Sequence, residues 1–403
     1  MLARTAPLRD ELERTLPDRP FAVELWDGTA VPATNGAGGP TFSVRSPAAV
    51  AHALRAPGQL GLGRAYVSGE IDVDDLDAVL DLLGNWEPPP IDSSARVRLL
   101  LAAARAAGIQ RPPPVPAAEL KPRGRRHSSE RDARAVRHHY DLPGDFFALF
   151  LGESMTYSCA LWSRGAKTLE EAQEQKLELV CTKLGLKEGE RVLDVGCGWG
   201  SFAIHAASHH GVKVVGITLS QPQAERAQRK VAELGLSDRV EIRVADYREL
   251  ADEPFDAVAS IGMVEHVGSS KIDLYARELA RMVRPGGRLL NHGIARLRHG
   301  EPEAGAFSER YVFPDAAPLH LSRIITAVER AGFETKHVEG LRLDYAETLG
   351  HWIQRLDDNI DEATRLAGTE RARVWRLYLR AARNGFRTGF TSVYQVLADR
   401  PAA

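Results

Sequence analysis

The sequence predicts a doubly wound α/β fold that follows a small N-terminal α+β domain. From about residue 168 onward, short apolar stretches alternate with amphipathic helical patterns, and such alternation requires a parallel sheet with helices on both faces. A glycine-rich loop comes directly after the first of these stretches, where open α/β sheets bind ligands. Before residue 115, short alternating stretches and helical patterns are separated by turn residues, which is typical of a small mixed domain.

Size and composition indicate a globular chain and limit the classes of partner that it can bind. The 403 residues are 44% hydrophobic and 26% charged, enough for two domains that each bury a core. The net charge is −2, so we expect no nucleic-acid partner. No uncharged apolar run reaches the roughly 18 residues of a membrane span, and residues 1–20 lack a secretory signal pattern. We therefore expect a cytoplasmic protein that touches a membrane without crossing it.

Cysteine usage agrees with a reducing compartment. The three cysteines, Cys159, Cys181 and Cys197, include no pair at CxxC spacing. This pattern predicts neither a disulfide framework nor a zinc knuckle. We therefore expect no metal site.

Prolines and turn residues divide the first part of the chain into short elements. Those elements are predicted strands at 21–25 and 41–44 and predicted helices at 47–54, 73–83 and 94–107. The prolines between residues 112 and 116 cannot continue a helix and predict an extended connector. We predict a domain over residues 1–115, a Pro-rich and then basic linker over 116–136, and a second domain over 137–403.

The basic part of the connector allows two interpretations. Residues 121–137 contain two acids, Glu130 and Asp132, against seven basic residues, which are Lys121, Arg123, Arg125, Arg126, Arg131, Arg134 and Arg137. One interpretation is a solvated linker. The other is a patch that attracts anionic phospholipid, at about 1 kcal/mol for each basic residue near such a surface. The sequence leaves both open.

In the second domain, predicted strands and helices alternate in order. Thr168 and Glu171 form a capping box that opens a helix to about residue 186, and Ser220 with Gln223 caps another to residue 234. The remaining predicted elements are strands at 191–195, 212–217, 240–244, 257–261 and 288–291 and helices at 201–208, 274–282 and 371–384.

The glycine loop places Gly196, Gly198 and Gly200 between a strand and a helix. Glycine allows a tight turn and a close backbone approach to a ligand. Ser201 stands where a dinucleotide fingerprint has its third glycine, and Thr218 rather than an acid ends the second strand, so both positions disfavour NAD. The string resembles motif I of the class I S-adenosylmethionine-dependent methyltransferases, whose fold is Rossmann-like, with Asp194 as its acidic residue.

Further strings narrow the resemblance. They are His139-Tyr140-Asp141, Thr156-Tyr157-Ser158-Cys159-Ala160-Leu161-Trp162, Gly216-Ile217-Thr218-Leu219-Ser220-Gln221-Pro222-Gln223, Asp246-Tyr247-Arg248, Gly262-Met263-Val264-Glu265-His266-Val267-Gly268, His292 and Arg310-Tyr311-Val312-Phe313-Pro314. In this order they are similar to the cyclopropane-fatty-acyl-phospholipid synthase family, which includes the mycolic acid cyclopropane synthases. The resemblance covers about residues 137–401, and residues 1–115 are more weakly similar to the lipid-binding domain of the bacterial phospholipid enzymes. Pro143-Gly144 and Ala316-Ala317 depart from the family pattern and bear on substrate preference.

The resemblance implies two sets of site residues. The residues that would bind S-adenosylmethionine are Tyr157, Ser158, Asp194, Gly196, Gly198, Thr218, Leu219, Gln223, Tyr247 and Ile261. A bicarbonate ion beside the transferring methyl would be held by Cys159, Glu265, His292 and Tyr311, with the backbone near Ile294 close by. Cys159 would line the anion site and form no covalent adduct.

The implied reaction begins when a cis alkene, a poor nucleophile, attacks a sulfonium methyl. Positioning can contribute roughly 7 to 11 kcal/mol, and aromatic faces can stabilise the resulting carbocation by about 2 kcal/mol each when desolvated. Ring closure then needs a base that takes a proton from the delivered methyl. The candidate aromatic residues are Tyr140, Phe146, Phe147, Tyr157, Trp162, Tyr311 and Phe313.

These inferences predict a cyclopropane fatty acid synthase that acts on unsaturated acyl chains of membrane phospholipids. It would be peripherally bound to the inner face of the membrane, and the resemblance suggests a homodimer. A second hypothesis keeps the methyl transfer but releases a different proton, which gives methylene- or methyl-branched chains. A methyltransferase for a soluble small molecule and a lipid carrier without chemistry are further alternatives. Chain length, double-bond position and headgroup preference are not specified by the sequence.

Overall fold

The computed structural model describes residues 4–34, 39–108, 113–120, 131, 142–299, 305–314 and 316–402. Among the predicted features, Arg131 lies in the described part of the basic connector. The other six basic residues of that connector and the string His139-Tyr140-Asp141 lie outside the described residues. No helix of the described residues is long and apolar enough to cross a membrane.

The helices and strands are numbered here in chain order. The strands are β1 Ala22–Glu24, β2 Ala30–Val31, β3 Thr41–Val44, β4 Ile71–Val73, β5 Arg191–Val195, β6 Lys213–Thr218, β7 Val240–Val244, β8 Phe255–Ile261, β9 Val283–Arg296, β10 Glu334–Gly340 and β11 Thr391–Asp399. The helices before β5 are α1 Ala6–Thr15, α2 Ala48–Arg55, α3 Gln59–Val67, α4 Leu76–Asn85, α5 Ser93–Ala107, α6 Gly144–Leu151 and α7 Leu169–Leu184. The later helices are α8 Ser201–His210, α9 Gln221–Glu233, α10 Val264–Val267, α11 Ile272–Met282, α12 Ala306–Tyr311, α13 Leu321–Arg330, α14 Arg342–Asp358, α15 Ile360–Ala367 and α16 Thr369–Thr388.

The first of two compact units comprises Met1–Leu120 together with Gly305–Tyr311 and Gly368–Asn384. Within its described residues, four strands pair in the order β2-β1-β3-β4. Asp75 caps α4 because its carboxylate accepts the backbone N–H groups of Asp77 and Ala78. The domain boundaries near residues 115 and 136 stay a prediction.

The second unit comprises Lys121–Ala304, Val312–Ala367 and Gly385–Ala403. Its described residues form a sheet of seven strands in the order β10-β11-β9-β8-β5-β6-β7. The strands from β5 to β9 are parallel to their neighbours, whereas β11 is antiparallel to both β9 and β10. The five predicted strands are therefore parallel as expected, and β10 and β11 are two further strands that the sequence interpretation did not predict.

Alternating side chains of the sheet enter two separate apolar layers, which confirms the doubly wound prediction. Leu193 and Leu289 pack in one layer with α11 and α13. Val192 and Leu290, their neighbours in the chain, pack in the other layer with α7, α8 and α9. This period of two follows from strand geometry, in which successive side chains point to opposite faces.

The helix starts that the sequence predicted are present. The Thr168 hydroxyl accepts the N–H of Glu171, and the Glu171 carboxylate accepts the N–H of Lys167 at 2.7 Å. The Ser220 hydroxyl accepts the N–H of Gln223. These caps satisfy donors that the first turn of a helix leaves unpaired.

Candidate functional site

A cavity lies at the carboxyl ends of the parallel strands in the second unit. Its lining includes all ten residues that the sequence assigned to S-adenosylmethionine, which are Tyr157, Ser158, Asp194, Gly196, Gly198, Thr218, Leu219, Gln223, Tyr247 and Ile261. It also includes residues that the sequence interpretation did not single out, among them Lys176, Trp199, Arg248 and Met263. The fold therefore brings the predicted cofactor residues together at the sheet edge where open α/β folds bind ligands.

The glycine loop forms the floor of this cavity. Gly196 and Gly198 have φ angles of +80° and +54°, a backbone conformation that favours glycine. A Cβ on Gly196 would lie 2.5 Å from the Met263 side chain, whereas a Cβ on Gly198 would meet no atom within 4 Å. Gly196 is thus required for packing, and Gly198 leaves space in which a ligand can approach the backbone.

A buried acid and a buried lysine face this cavity. Burial raises the pKa of Asp194 to about 7, and the nearby Lys176 ammonium partly opposes the rise. Burial lowers the pKa of Lys176 to about 8, and its Nζ donates to the Ser158 hydroxyl at 3.0 Å. Asp194 Oδ2 has no hydrogen-bond partner among the described residues. One buried polar atom of this pair therefore lacks a hydrogen-bond partner, as is typical of a site that binds a polar ligand.

Helix α7 holds the loop that carries Tyr157 and Ser158. The Gln173 side-chain amide donates to the carbonyls of Thr156 and Ser158, at 3.3 and 3.0 Å. Gln173 and Lys176 are three residues apart on α7 and therefore face the same side. The sequence interpretation missed both residues, because their spacing matches an ordinary amphipathic helix.

The ends of β6 and β7 complete the cavity. The Thr218 hydroxyl donates to Gln223 Oε1 at 2.8 Å, which places two polar side chains beside the glycine loop. Tyr247 follows β7 with its ring edge-on to Tyr275, and Ile261 lies at the end of β8. A cofactor with a polar amino-acid end, a ribose and an apolar ring face fits this combination of buried ionisable groups, hydroxyl and amide groups and apolar walls. The residues present therefore fit S-adenosylmethionine.

Glu265 lies on the short helix α10, against the backbone of β9. Burial raises the pKa of its carboxyl to about 7, and a hydrogen bond from the backbone N–H of Ile294 opposes the rise. A Cβ on Gly293 would lie 3.1 Å from Glu265 Oε2 and 2.1 Å from Val264 Cγ1, so glycine at 293 allows this close approach. Within the described part of the chain, Glu265 Oε2 has no hydrogen-bond partner.

His292 on β9 is a buried neutral imidazole. Burial lowers its pKa to about 3, and the positive charges of Lys176 and Lys183 lower it further. Gln395 on β11 contacts His292 Nδ1 through its side-chain Nε2 at 3.1 Å. His292 Nε2 finds no hydrogen-bond partner among the residues that the structure describes.

Glu265 and His292 are held at the same end of the sheet. The Gly262 N–H donates to the His292 carbonyl at 2.8 Å, and Gly262 and Glu265 are three residues apart. Glu265 Oε2 and His292 Nε2 are each a buried atom without a partner among the described residues, and a small anion with its own proton could bind such atoms. Bicarbonate meets that description. Glu265 and His292 are two of the four predicted anion ligands, and both belong to the second unit.

Cys159 is fully buried and its thiol is already used. Its Sγ donates to the carbonyls of Ala160 and Leu341, at 3.2 and 3.6 Å. Burial raises its pKa well above the usual range, so the sulfur is a thiol and a poor nucleophile. The Leu341 N–H donates to Val393, which pairs with Ile294 in the sheet. Cys159 is thereby tied through backbone contacts to the strand that carries His292.

Tyr311 belongs to the first unit, whereas the other three predicted anion ligands belong to the second unit. Its hydroxyl donates to Glu119 Oε2 at 3.0 Å, and both Glu119 oxygens accept from the Arg64 guanidinium at 2.7 Å. The hydroxyl is therefore engaged in a buried network of that unit. The role of Tyr311 as an anion ligand stays a prediction.

Tyr345 is a buried tyrosine of the second unit whose ring packs against Trp352 and Phe386. It follows Asp344, whose carboxylate accepts the N–H groups of Trp162 and Ser163 at 2.7 Å. These bonds fix the start of α14 against the segment that follows Cys159.

The predicted aromatic residues divide between the core and the cavity. Phe146 and Phe147 are fully buried, and Phe147 packs against both Tyr157 and Trp199, with ring centroids 6.1 and 4.9 Å away. Trp162 stacks on His351 at 4.3 Å. The Phe313 ring lies 5.4 Å from that of His266, which lines the cavity. Tyr140 lies outside the described residues.

Comparisons with known proteins identify the family of the chain. The family model described as mycolic acid cyclopropane synthetase matches residues 127–396. A probable fatty acid methyltransferase of Mycobacterium tuberculosis is 38% identical over 94% of this chain and 91% of its own length. The cyclopropane-fatty-acyl-phospholipid synthase of Escherichia coli strain K12 is 32% identical over 91% of this chain and 90% of its own length.

A solved structure extends the agreement to the fold. The mycolic acid cyclopropane synthase complexed with SAH and CTAB has a TM-score of 0.63 and 34% identity, over 66% of this chain and 98% of its own. The chain therefore belongs to the mycolic acid cyclopropane synthetase family of S-adenosylmethionine-dependent methyltransferases.

Proposed function

We propose that the protein converts cis double bonds of phospholipid acyl chains into cyclopropane rings. The observation that carries the proposal is the pair of orphaned buried atoms, Glu265 Oε2 and His292 Nε2. A simple methyl transfer to a nucleophile that loses its own proton needs no anion site beside the methyl. Ring closure does need a base there, because the proton that leaves belongs to the methyl just delivered.

His292 is suited to donate a hydrogen bond to that anion. Lys183 Nζ donates to Gln395 Oε1 at 2.6 Å, and because an ammonium can only donate, the amide Nε2 is the atom that faces His292. Gln395 Nε2 then donates to His292 Nδ1, which places the imidazole proton on Nε2. A neutral imidazole with this tautomer presents an N–H to the anion site.

Glu265 is suited to form a second hydrogen bond to the anion. Its pKa of about 7 gives a substantial protonated fraction near neutral pH, and a protonated carboxyl can donate to a carbonate oxygen. The ionised form can instead accept the proton of bicarbonate. Bicarbonate, held by Glu265 and His292, would supply the base.

The remaining residues position the substrates and exclude water. S-adenosylmethionine supplies an electrophilic sulfonium methyl when bound. Attack by the alkene π electrons on that methyl would break the carbon–sulfur bond, with its electron pair left on sulfur, and would leave a carbocation on the acyl chain for the residues of the site to shelter. Tyr157 and the apolar residues around it offer a dry aromatic wall, and removal of a methyl proton to the base then closes the ring with the C–H electron pair. A dry site protects the cation from water.

The first unit supplies a surface suited to lipid. On α5, Val97, Leu100 and Leu101 have exposed fractions of 54%, 47% and 50%. These residues lie on one face of the helix because they are three and four positions apart, and the exposed Arg96 and Arg105 flank them. Basic residues beside exposed apolar side chains are typical of helices that lie at a membrane interface. We propose that this face docks on the inner leaflet, and that the enzyme is a homodimer, as its family resemblance suggests.

Products from vesicles of a cis-monounsaturated phospholipid test the reaction. We expect that purified protein, S-adenosylmethionine and bicarbonate add one CH2 to each modified chain, with cyclopropane proton resonances and no new olefinic signal. His292→Ala should abolish the gain while leaving cofactor binding in place. No mass gain with vesicles, but methylation of a soluble acceptor, would reject the proposal.

Formation of methylene- or methyl-branched chains is a second candidate function. It is favoured by the 38% identity to a relative named as a probable fatty acid methyltransferase. The same carbocation serves this reaction, and the proton then leaves from a different carbon. The same mass gain with an exocyclic olefin in the proton spectrum would identify it.

A further inference from the structure

A cluster of metal-ligating side chains lies between α7 and α8, away from the cavity that holds the predicted cofactor residues. The ligand atoms of Cys181, His205 and His210 all lie within 4.8 Å of one another. Glu178 joins them, since its Oε2 is 3.2 Å from His205 Nε2 and 3.0 Å from His210 Nε2. The four side chains offer one sulfur, two nitrogens and one oxygen.

We propose that Cys181, His205, His210 and Glu178 form a structural site for Zn²⁺ or a similar divalent cation of borderline softness. This inference is independent of the reaction proposed above. The sequence interpretation expected no metal because the cysteines lack CxxC spacing. The fold instead assembles the ligands from two helices that meet in the core.

The separations are compatible with tetrahedral coordination. Zinc bonds to nitrogen and oxygen are about 2.0 to 2.1 Å long, so two such ligands of a tetrahedral ion lie about 3.3 Å apart. The two nitrogen–oxygen separations, 3.2 and 3.0 Å, are already close to that value. The sulfur has to approach modestly, which a rotation of the Cys181 side chain can supply.

The ligand charges suit a buried dication. A thiolate and a carboxylate neutralise the two positive charges of the metal, and two neutral imidazoles complete the set. Cys181 and His205 are buried, His210 is half-buried, and a buried charge requires such compensation. The thiol proton leaves to solvent when the metal binds.

Two further features support the site. Thr182 donates its hydroxyl to Glu178 Oε1 at 3.1 Å, which orients the carboxylate and leaves Oε2 directed at the histidines. A surface opening beside the cluster is lined by three acids, Glu171, Glu174 and Glu178, together with Arg164. These acids provide an entry path that attracts a cation.

The site would fasten two helices that shape the cofactor cavity. Helix α7 carries Gln173 and Lys176, which hold the Tyr157–Ser158 loop, and α8 begins directly after the glycine loop. A metal bridge between them would restrain both walls of the cavity. We therefore expect metal binding to raise thermal stability.

Metal titration of the tag-free, chelator-treated protein tests the proposal. We expect one Zn²⁺ per chain, and we expect Co²⁺ to give a tetrahedral d–d spectrum with a thiolate charge-transfer band. Cys181→Ser and His205→Ala should each weaken Co²⁺ binding by roughly 100-fold or more. His209→Ala is the control for a neighbouring imidazole, because His209 is exposed and outside the ligand set although its ring lies 4.5 Å from that of His205.

Thermal unfolding separates a metal site from a hydrogen-bond network and guards against misfolded variants. Zn²⁺ should raise the Tm of the wild type and of His209→Ala, and it should leave the Tm of Cys181→Ser unchanged while circular dichroism shows a native fold. A spectrum without the thiolate band would overturn the proposal. So would equal Zn²⁺ stabilisation of the wild type and Cys181→Ser.

Discussion

Gln395 on β11 and His292 on β9 are direct partners in the sheet register, and the side-chain amide of Gln395 donates to His292 Nδ1 at 3.1 Å. Lys183 fixes the orientation of that amide from its other end. The tautomer of a buried histidine is thus set by a neighbouring strand and a lysine on α7. Gln395 acts through His292 and is a positioning residue.

Replacing this amide by a carboxylate should disable the anion site. In Gln395→Glu, both oxygens accept, so His292 must place its proton on Nδ1 and loses the donor at Nε2. We expect kcat to fall roughly 10- to 100-fold, as for the loss of a buried hydrogen bond of about 1 to 3 kcal/mol. The nitrogen-15 spectrum of the imidazole should report the exchanged tautomer. Unchanged activity together with an exchanged tautomer would contradict the assigned role.

Glu265→Gln should change how stability depends on pH. The folded protein keeps a proton on Glu265 up to about pH 7, whereas the unfolded chain releases it near its ordinary pKa. The wild type therefore loses unfolding free energy as pH rises through this window, and the variant lacks that loss. The unfolding free energy of Glu265→Gln, measured in urea and taken relative to the wild type, should be about 2 kcal/mol higher at about pH 8 than at about pH 5.

The exposed Glu233 on α9 provides the control for this measurement. Glu233→Gln should keep a constant difference from the wild type at both pH values. Asp194, whose pKa is also raised to about 7, is present in all three proteins and cancels in the comparison. A constant difference for Glu265→Gln as well would show that its carboxyl is not protonated in the fold.

Lys176→Met should weaken cofactor binding. The substitution removes the donor to Ser158 Oγ and the positive charge that opposes the rise in the pKa of Asp194. We expect the Kd for S-adenosylhomocysteine, measured by calorimetry, to rise roughly 10- to 100-fold. Lys230 is an exposed lysine on α9, and Lys230→Met should bind S-adenosylhomocysteine with the affinity of the wild type. Equal affinities of the two variants would remove Lys176 from the site.

The apolar face of α5 should govern vesicle binding. Leu100→Asp combined with Leu101→Asp puts charge on the face that we propose docks on lipid, so co-sedimentation with anionic vesicles should fall several-fold. Leu234→Asp is the matched control, since Leu234 has a similar exposed fraction of 48% and lies in the second unit. Turnover of a short-chain soluble lipid should be the same in all three proteins. Unchanged co-sedimentation of the double variant would reject docking through α5.

Local signals were predicted well because they depend on neighbouring residues. The capping box at Thr168 and Glu171 and the glycine loop after β5 are satisfied within a few positions of the chain. The ten cofactor residues also converge on one cavity, since the ends of parallel strands meet at one edge of the sheet. Here spacing in the sequence translates directly into position in the fold.

Features that depend on distant partners could not be predicted in this way. β10 has mostly exposed polar residues, and charged residues are expected on an edge strand that must avoid pairing with another chain. The prediction began β9 at residue 288 instead of 283, because Pro285 and Gly286 resemble a turn. The buried Lys176 ammonium is compensated by a hydrogen bond to Ser158 and by the nearby Asp194, and both of these residues lie elsewhere in the chain. The metal cluster likewise needs two helices to meet.

The antiparallel strand β11 occupies the interior of the sheet although it is synthesised after every other strand. Until residues beyond 391 have left the ribosome, β9 presents an open edge of unpaired N–H and C=O groups, which is a template for wrong pairing. His292 also lacks Gln395 during that interval. Pairing of β11 therefore covers the edge of β9 and supplies the Gln395 partner of His292 in the same step.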